Sequence, residues 1–192
     1  MSTVMVHVLA AYKYNSDADV AFYVGSVAPD VIQDHVRKDH THFRDRTDRV
    51  QALRELADSI DWENEFELGV LFHLFLDYYW DKGPICDHRA QYVGDNWFHD
   101  YRKEIGYVAV WHYYNEKWSE AVWKRMREYR LPVEETICEI KRDELEAFIT
   151  KHHNRYIGTE PVQSTFFTPD MVEAFSNQVV KDFIQWRKEL GR

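Results

Sequence analysis

The chain has 192 residues, the length of one domain able to bury a substantial core, and a formal net charge of −9. That balance repels phosphate backbones and anionic bilayer faces, which argues against general nucleic-acid binding and adhesion to acidic lipid. Two cysteines, Cys86 and Cys138, make no C-x-x-C pair, so thiolate zinc sites and a disulfide framework are excluded and a reducing compartment fits.

The first residues lack a basic stretch and a small-residue cleavage site, and no apolar run is long enough to span a bilayer. The expected location is cytoplasmic, without integral membrane association. Ten histidines and 16% aromatic residues raise the expectation of a metal or ligand site without locating it.

Taken in order, residues 3–14 read as an amphipathic helix with His7 beside its apolar face. A turn at Asn15-Ser16-Asp17 leads to a short apolar helix ending near Tyr23. In Gly25-Ser26-Val27-Ala28-Pro29-Asp30, Pro29 pushes Ala28 toward extended geometry and presents Asp30 from a fixed loop. Residues 33–47, with His35, His40 and His42, read as a charged surface loop or the rim of a site. Asp48 is an N-cap for a helix bearing Val50, Leu53, Leu56 and Ile60.

Residues 63–81 form the predicted central helix. From Val70 to Trp80 every residue except His73 and Asp77 is apolar or aromatic, the pattern of a helix buried on all sides. Lys82-Gly83-Pro84 ends it. A loop to about residue 95, a long helical region over 96–130 interrupted at Gly106, and a helix opened by Pro132-Val133-Glu134-Glu135 and running to about 153 follow. After a loop over 158–167, Thr168-Pro169-Asp170 caps a last helix whose face is Val172, Phe175, Val179, Val180, Phe183 and Trp186. The fold class is all-α, a single-domain bundle of six or seven helices around the buried central one.

The polar interruptions of the central helix, His73 and Asp77, lie four apart and share one face, with Cβ atoms about 5–6 Å apart. Burying a carboxylate costs several kcal/mol unless a charge or hydrogen bond meets it. Either the two bind each other and a nearby backbone group, or both face a divalent cation. Residues of ligand type elsewhere are His7, Asp30 and His42. Each has an ordinary alternative: a hydrogen-bonded core histidine, a carboxylate accepting backbone N–H groups, a solvated histidine in a charged run. Together with His73 and Asp77, these residues from four segments suffice for one site and the start of a second through a bridging Asp. Their nitrogen and oxygen donors suit zinc, iron or manganese rather than calcium.

The order His7, Gly25-Ser26-Val27-Ala28-Pro29-Asp30, His42-Phe43-Arg44, then Gly69-x-x-x-His73-x-x-x-Asp77-x-x-Trp80 resembles the zinc-dependent phospholipase C family, more its small, unsecreted bacterial relatives than the secreted enzymes. The resemblance covers roughly residues 5–82. It implies an all-α fold of the phospholipase C/P1 nuclease type, with Asp30, His42, His73 and Asp77 on one zinc and Asp77 bridging to a second shared with His7. Two zinc ions per chain are therefore expected. The implied reaction is phosphoester hydrolysis by metal-activated water attacking phosphorus, with Asp30 both ligand and general base.

This chain also departs from the family. Secreted members begin with a Trp whose amine and carbonyl are ligands, whereas Met1-Ser2-Thr3 offers no such terminus, so the metal at His7 needs another partner or water. His112 and Glu116 match a His-x-x-x-Glu pair and are weaker metal candidates, with His88 or His99 as a further imidazole; an i,i+4 pair is also ordinary on a helix surface. Glu104 is a further candidate to bind a metal or to hold one of its ligands by a hydrogen bond. Arg44 is a candidate to hold phosphate, with a solvated charge as the ordinary alternative, and Trp80, Tyr78, Trp97 and Trp111 are candidates for an apolar or choline-binding wall, with core packing the commoner use for most of them. The expected substrate is a soluble phosphoester or a lipid head group.

Two rival readings stand beside this one. An HD-type phosphohydrolase would use His99-Asp100 with His73 and a later Asp such as Asp143, leaving Asp30 and His42 without a role. A non-catalytic helical binding or scaffold protein would keep His73 and Asp77 as an internal hydrogen bond.

Overall fold

A computed structural model describes residues 2–131 and 140–192. Among them are ten α-helices: α1 Val4–Tyr14, α2 Val20–Gly25, α3 His35–Thr41, α4 Arg49–Ser59, α5 Glu65–Lys82, α6 Pro84–Gln91, α7 Trp97–Asn115, α8 Ser119–Glu128, α9 Arg142–Ile157 and α10 Pro169–Glu189. A 3-10 helix, Ala28–Val31, links α2 to α3, and no strand occurs among the described residues. The fold is all-α, as the periodicity indicates.

Helix α5 lies at the centre and packs on α1, α2, α4, α6 and α10. Its start is fixed by Asn64, whose side chain accepts hydrogen bonds from the Phe66 and Glu67 amides, and Gly83 closes its last turn. Helix α1 shares the interior. Every residue from Val4 to Ala11 is buried, so it is covered on all sides rather than amphipathic. Small side chains (Val, Ala) let α2, α5, α7 and α10 close around it.

The tightest approach is between α2 and α5. A Cβ on Gly25 would overlap the Phe66 carbonyl, and one on Gly69 the Phe22 carbonyl. These two glycines bring the backbones together and set the Ser26 carbonyl beside the ring of His73.

Four boundaries differ from the sequence expectations. Ala28 opens the 3-10 turn instead of lying extended, because Pro29 fits the first turn of a helix, where its missing N–H costs nothing. The charged segment 33–47 contains helix α3, started by Asp34 accepting from the Arg37 amide. The stretch before residue 95 contains α6, with Pro84 at its first turn. Gly106 sits inside an unbroken α7; the interruption falls at 116–118 instead, between α7 and α8. The expected helix start at Pro132 and Glu134–Glu135 lies outside the described residues, and the helix after them, α9, runs from Arg142 to Ile157.

Candidate metal centre

Helix α5 projects His73 and Asp77 from one face, the 3-10 turn supplies Asp30, and the end of α3 supplies His42. All four are buried, and each places a ligand atom within 4.8 Å of the other three. The measured separations are 3.2 Å between His42 Nε2 and His73 Nε2, 3.7 Å from His42 Nε2 to Asp30 Oδ1, 3.6 Å from His42 Nε2 to Asp77 Oδ2 and 4.0 Å from His73 Nε2 to Asp77 Oδ2. The edges of a zinc tetrahedron with bonds of about 2.0–2.1 Å are roughly 3.3–3.4 Å, so the four atoms have the spacing of a ligand shell.

Tautomers decide what the histidines can do. His73 Nδ1 lies 2.8 Å from the Ser26 carbonyl and His42 Nδ1 2.9 Å from the Lys38 carbonyl. A carbonyl only accepts, so both Nδ1 atoms carry the proton and, in the neutral rings, both Nε2 atoms present lone pairs. Two lone pairs facing each other at 3.2 Å repel; a cation between them satisfies both. Nδ1 hydrogen-bonded to a backbone carbonyl is the usual arrangement of a metal-ligating histidine.

Phe43 takes φ 56°, uncommon for a bulky residue. The Arg44 amide donates to the Asp39 carbonyl and the Phe43 amide to the His40 carbonyl, closing α3 in a Schellman-type turn. This left-handed residue lets His42 face the cluster while Arg44, two positions on, reaches α5.

Arg44 is a correction. Its guanidinium does not stand free for phosphate but donates to Asp77 Oδ2 at 3.0 Å and Asp81 Oδ2 at 2.8 Å. Asp77 is thereby held from two sides. Oδ2 faces His42, His73 and Arg44, whereas Oδ1 lies 3.4 Å from His7 Nε2 and accepts from the Ser2 amide and hydroxyl at 3.2 and 3.3 Å. His7 stacks on His73 with ring centroids 3.9 Å apart, and its Nε2 lies 2.7 Å from Ser2 Oγ and 4.0 Å from Asp30 Oδ2. All five residues singled out from the sequence thus meet at one place.

Burial alone would raise the carboxyl pKa values, but surrounding positive charge wins. Lys38, with its ammonium 2.8 Å from Asp30 Oδ1, and then His42 hold Asp30 well below the usual carboxylate range. For Asp77 likewise, burial is outweighed, with the hydrogen bond and charge of His7 chief among the described groups that lower it. Burial, and then the neighbouring His7, push the His73 imidazole well below 6.5, so it is neutral at pH 7 and fit to ligate.

Ser2 and Lys38 escaped sequence reasoning. Nothing marks Ser2 locally. Lys38 sits four residues before His42, a spacing visible only once α3 is recognised as a helix.

The weaker candidates lie apart from this cluster. His112 Nδ1 is 3.3 Å from Glu116 Oε1, and Glu173 completes a second group of possible ligands, although Lys13 pairs with Glu173. Neither His88 nor His99 joins either group: His88 is buried among Tyr92, Tyr101, Phe166 and Phe167, and His99 is exposed beside Asp100. Glu104 accepts from Ser164 Oγ and the Thr165 amide, both at 2.6 Å, and from the Phe166 amide at 3.2 Å, tying down the loop before α10. Trp80 takes the commoner role of a core residue, donating to the Tyr101 hydroxyl at 2.7 Å, and the aromatic rings lining the cleft at Asp30 are Phe148 and Tyr156.

A family model described as zinc dependent phospholipase C matches residues 3–161. No curated protein and no solved structure matches the chain.

Proposed function

The chain belongs to the zinc-dependent phospholipase C family, and on that premise we propose that its 192 residues act as one hydrolase domain that cleaves a phosphoester at the Asp30–His42–His73–Asp77 centre. Family and cluster together support a metal-dependent hydrolase. The observation that carries the reading is the pair of Nε2 lone pairs fixed face to face by the Ser26 and Lys38 carbonyls.

Zinc, or iron or manganese in the same donor set, supplies Lewis acidity toward a phosphoryl oxygen and acidifies water when bound. The residues do the rest. His42 and His73 ligate as neutral imidazoles oriented by backbone carbonyls. Asp77, with Oδ2 facing His42 and His73 and Oδ1 facing His7, would serve two ions per chain, and Ser2 is a polar neighbour of His7. Asp30, which lines an open cleft, would be both a ligand and the acceptor of a water proton, with Lys38 holding its carboxylate in position. His112 and Glu116 with Glu173 form a peripheral, weaker candidate ion site. No described helix is long and apolar enough to cross a membrane. Two cysteines in the whole chain, with Cys86 free, suit work in the cytoplasm.

Stripping metal with a chelator and restoring single cations tests this on nitrophenyl phosphoesters. The expected outcome is loss of turnover on stripping and its return with zinc. Turnover indifferent to the chelator would sink the proposal. The HD-type reading is less well supported, since its His99 is exposed and, with Asp100, lies outside both groups of possible ligands.

A further inference from the structure

Beside Asp30 the surface opens into a cleft of ≈ 80 Å³, lined among others by Lys38 of α3, Arg102 of α7 and Phe148, His152 and Arg155 of α9. Asp30 is the one acidic residue among the lining groups, and Lys38 already matches it at 2.8 Å. Arg102 and Arg155 have no ion-pair partner among the described residues. Burial pushes His152 down to about 4, so at neutral pH it is an uncharged donor or acceptor. The lining therefore carries a net +2 in a chain of net −9, an inversion of sign that concentrates anions in the cleft. A cationic head group such as choline needs aromatic faces with unmatched carboxylates nearby; here Phe148 and Tyr156 line the cleft, but its one carboxylate, Asp30, is matched by Lys38, and two unmatched guanidinium groups would repel the cation.

We infer that this cleft is an anion subsite and that the substrate is a phosphoester with a second negative charge at or beside the scissile phosphoryl group, held by Arg102 and Arg155. Guanidinium groups bind phosphate and carboxylate through paired N–H donors, which orients the substrate as well as attracting it. The inference rests on the hydrolase reading for its substrate but not for the anion subsite itself.

Two measurements test it. Calorimetric titration of the intact, metal-free protein with inorganic phosphate reads the subsite alone. Arg102→Gln and Arg155→Gln, both at exposed positions, should each weaken binding by about fivefold to tenfold, and Arg54→Gln, exposed on α4, should not. Phosphate affinity unchanged in the double variant overturns the subsite. With zinc restored, the double variant should lose about tenfold or more in kcat/KM on 4-nitrophenyl phosphate and stay within about twofold on 4-nitrophenyl phosphorylcholine. Equal losses on both overturn the substrate class while leaving hydrolysis standing. Phosphate binding lost in the variants, with no turnover of either compound by the parent, overturns the hydrolase reading and the substrate claim but retains the anion subsite. Vesicles of phosphatidic acid, set against glycerol phosphate and against phosphatidylcholine vesicles, distinguish a lipid source of the charge from a soluble one; preference for phosphatidylcholine contradicts the proposal.

Discussion

Asp77 carries two demands at once: it neutralises Arg44 from one oxygen and faces His7 and Ser2 from the other. Replacing it with Asn keeps the volume and removes the charge. Arg44 retains Asp81, so the expected loss of stability is about 2 kcal/mol rather than that of a fully orphaned buried charge. Zinc affinity should fall by far more than for a surface Asp→Asn control, read by competition with a chromophoric chelator. Unaltered zinc affinity would contradict ligation by Asp77. The five ligand-type residues were legible because buried charge in an apolar helix needs a reason, and because their order follows a known pattern. Lys38 and Ser2 were not, since only tertiary packing buries them. For Arg44 neither reading, phosphate contact nor solvated charge, anticipated its pairing with Asp77 and Asp81, because sequence spacing does not reveal that the turn at Phe43 aims it at α5.

Among the helices, the α2–α5 contact makes the sharpest predictions. In Gly69→Ala the new methyl meets the Phe22 carbonyl, which as backbone cannot swing aside, so the helices must separate. A loss of about 3 kcal/mol is expected by denaturant unfolding. Zinc should bind roughly tenfold to a hundredfold more weakly as the Ser26 carbonyl leaves His73. Gly106→Ala has the opposite sign. Its methyl would find the Arg155 guanidinium at 3.5 Å, ordinary contact, and gain about 0.5–1 kcal/mol from helix propensity. A stable Gly69→Ala or an unstable Gly106→Ala would refute this packing account. The long helices were readable because α5 is apolar from Val70 to Trp80 but for His73 and Asp77 and α10 keeps its stripe from Val172 to Trp186, about four turns. Helices α3 and α6 were not, because seven or eight residues give too little periodicity and the signals were the caps, Asp34 and Pro84.

Across the whole molecule, the fold holds imidazoles that refuse protons. His73 lies well below 6.5 through burial and His7, and burial puts His152 at about 4. Below pH 6.5 the unfolded chain binds protons that the native state does not, so stability falls as pH falls. For His152 alone the loss between pH 6.5 and 5 is about 2 kcal/mol. Asp30 and Asp77 have depressed pKa values, so their contribution is intact above 3.8 and is lost only below it. Metal-free protein should therefore melt at progressively lower temperature from pH 7 to 5; a flat profile would contradict neutral, buried histidines. Binding of a transition metal by the four buried side chains is tested most directly by anomalous diffraction at the zinc edge from crystals of the zinc-loaded protein. The expected result is a peak at about 2.0–2.2 Å from His42 Nε2, His73 Nε2 and an oxygen each of Asp30 and Asp77, with a second peak toward His7. A folded protein showing no peak there, with His42 and His73 still facing each other across 3.2 Å, would contradict it.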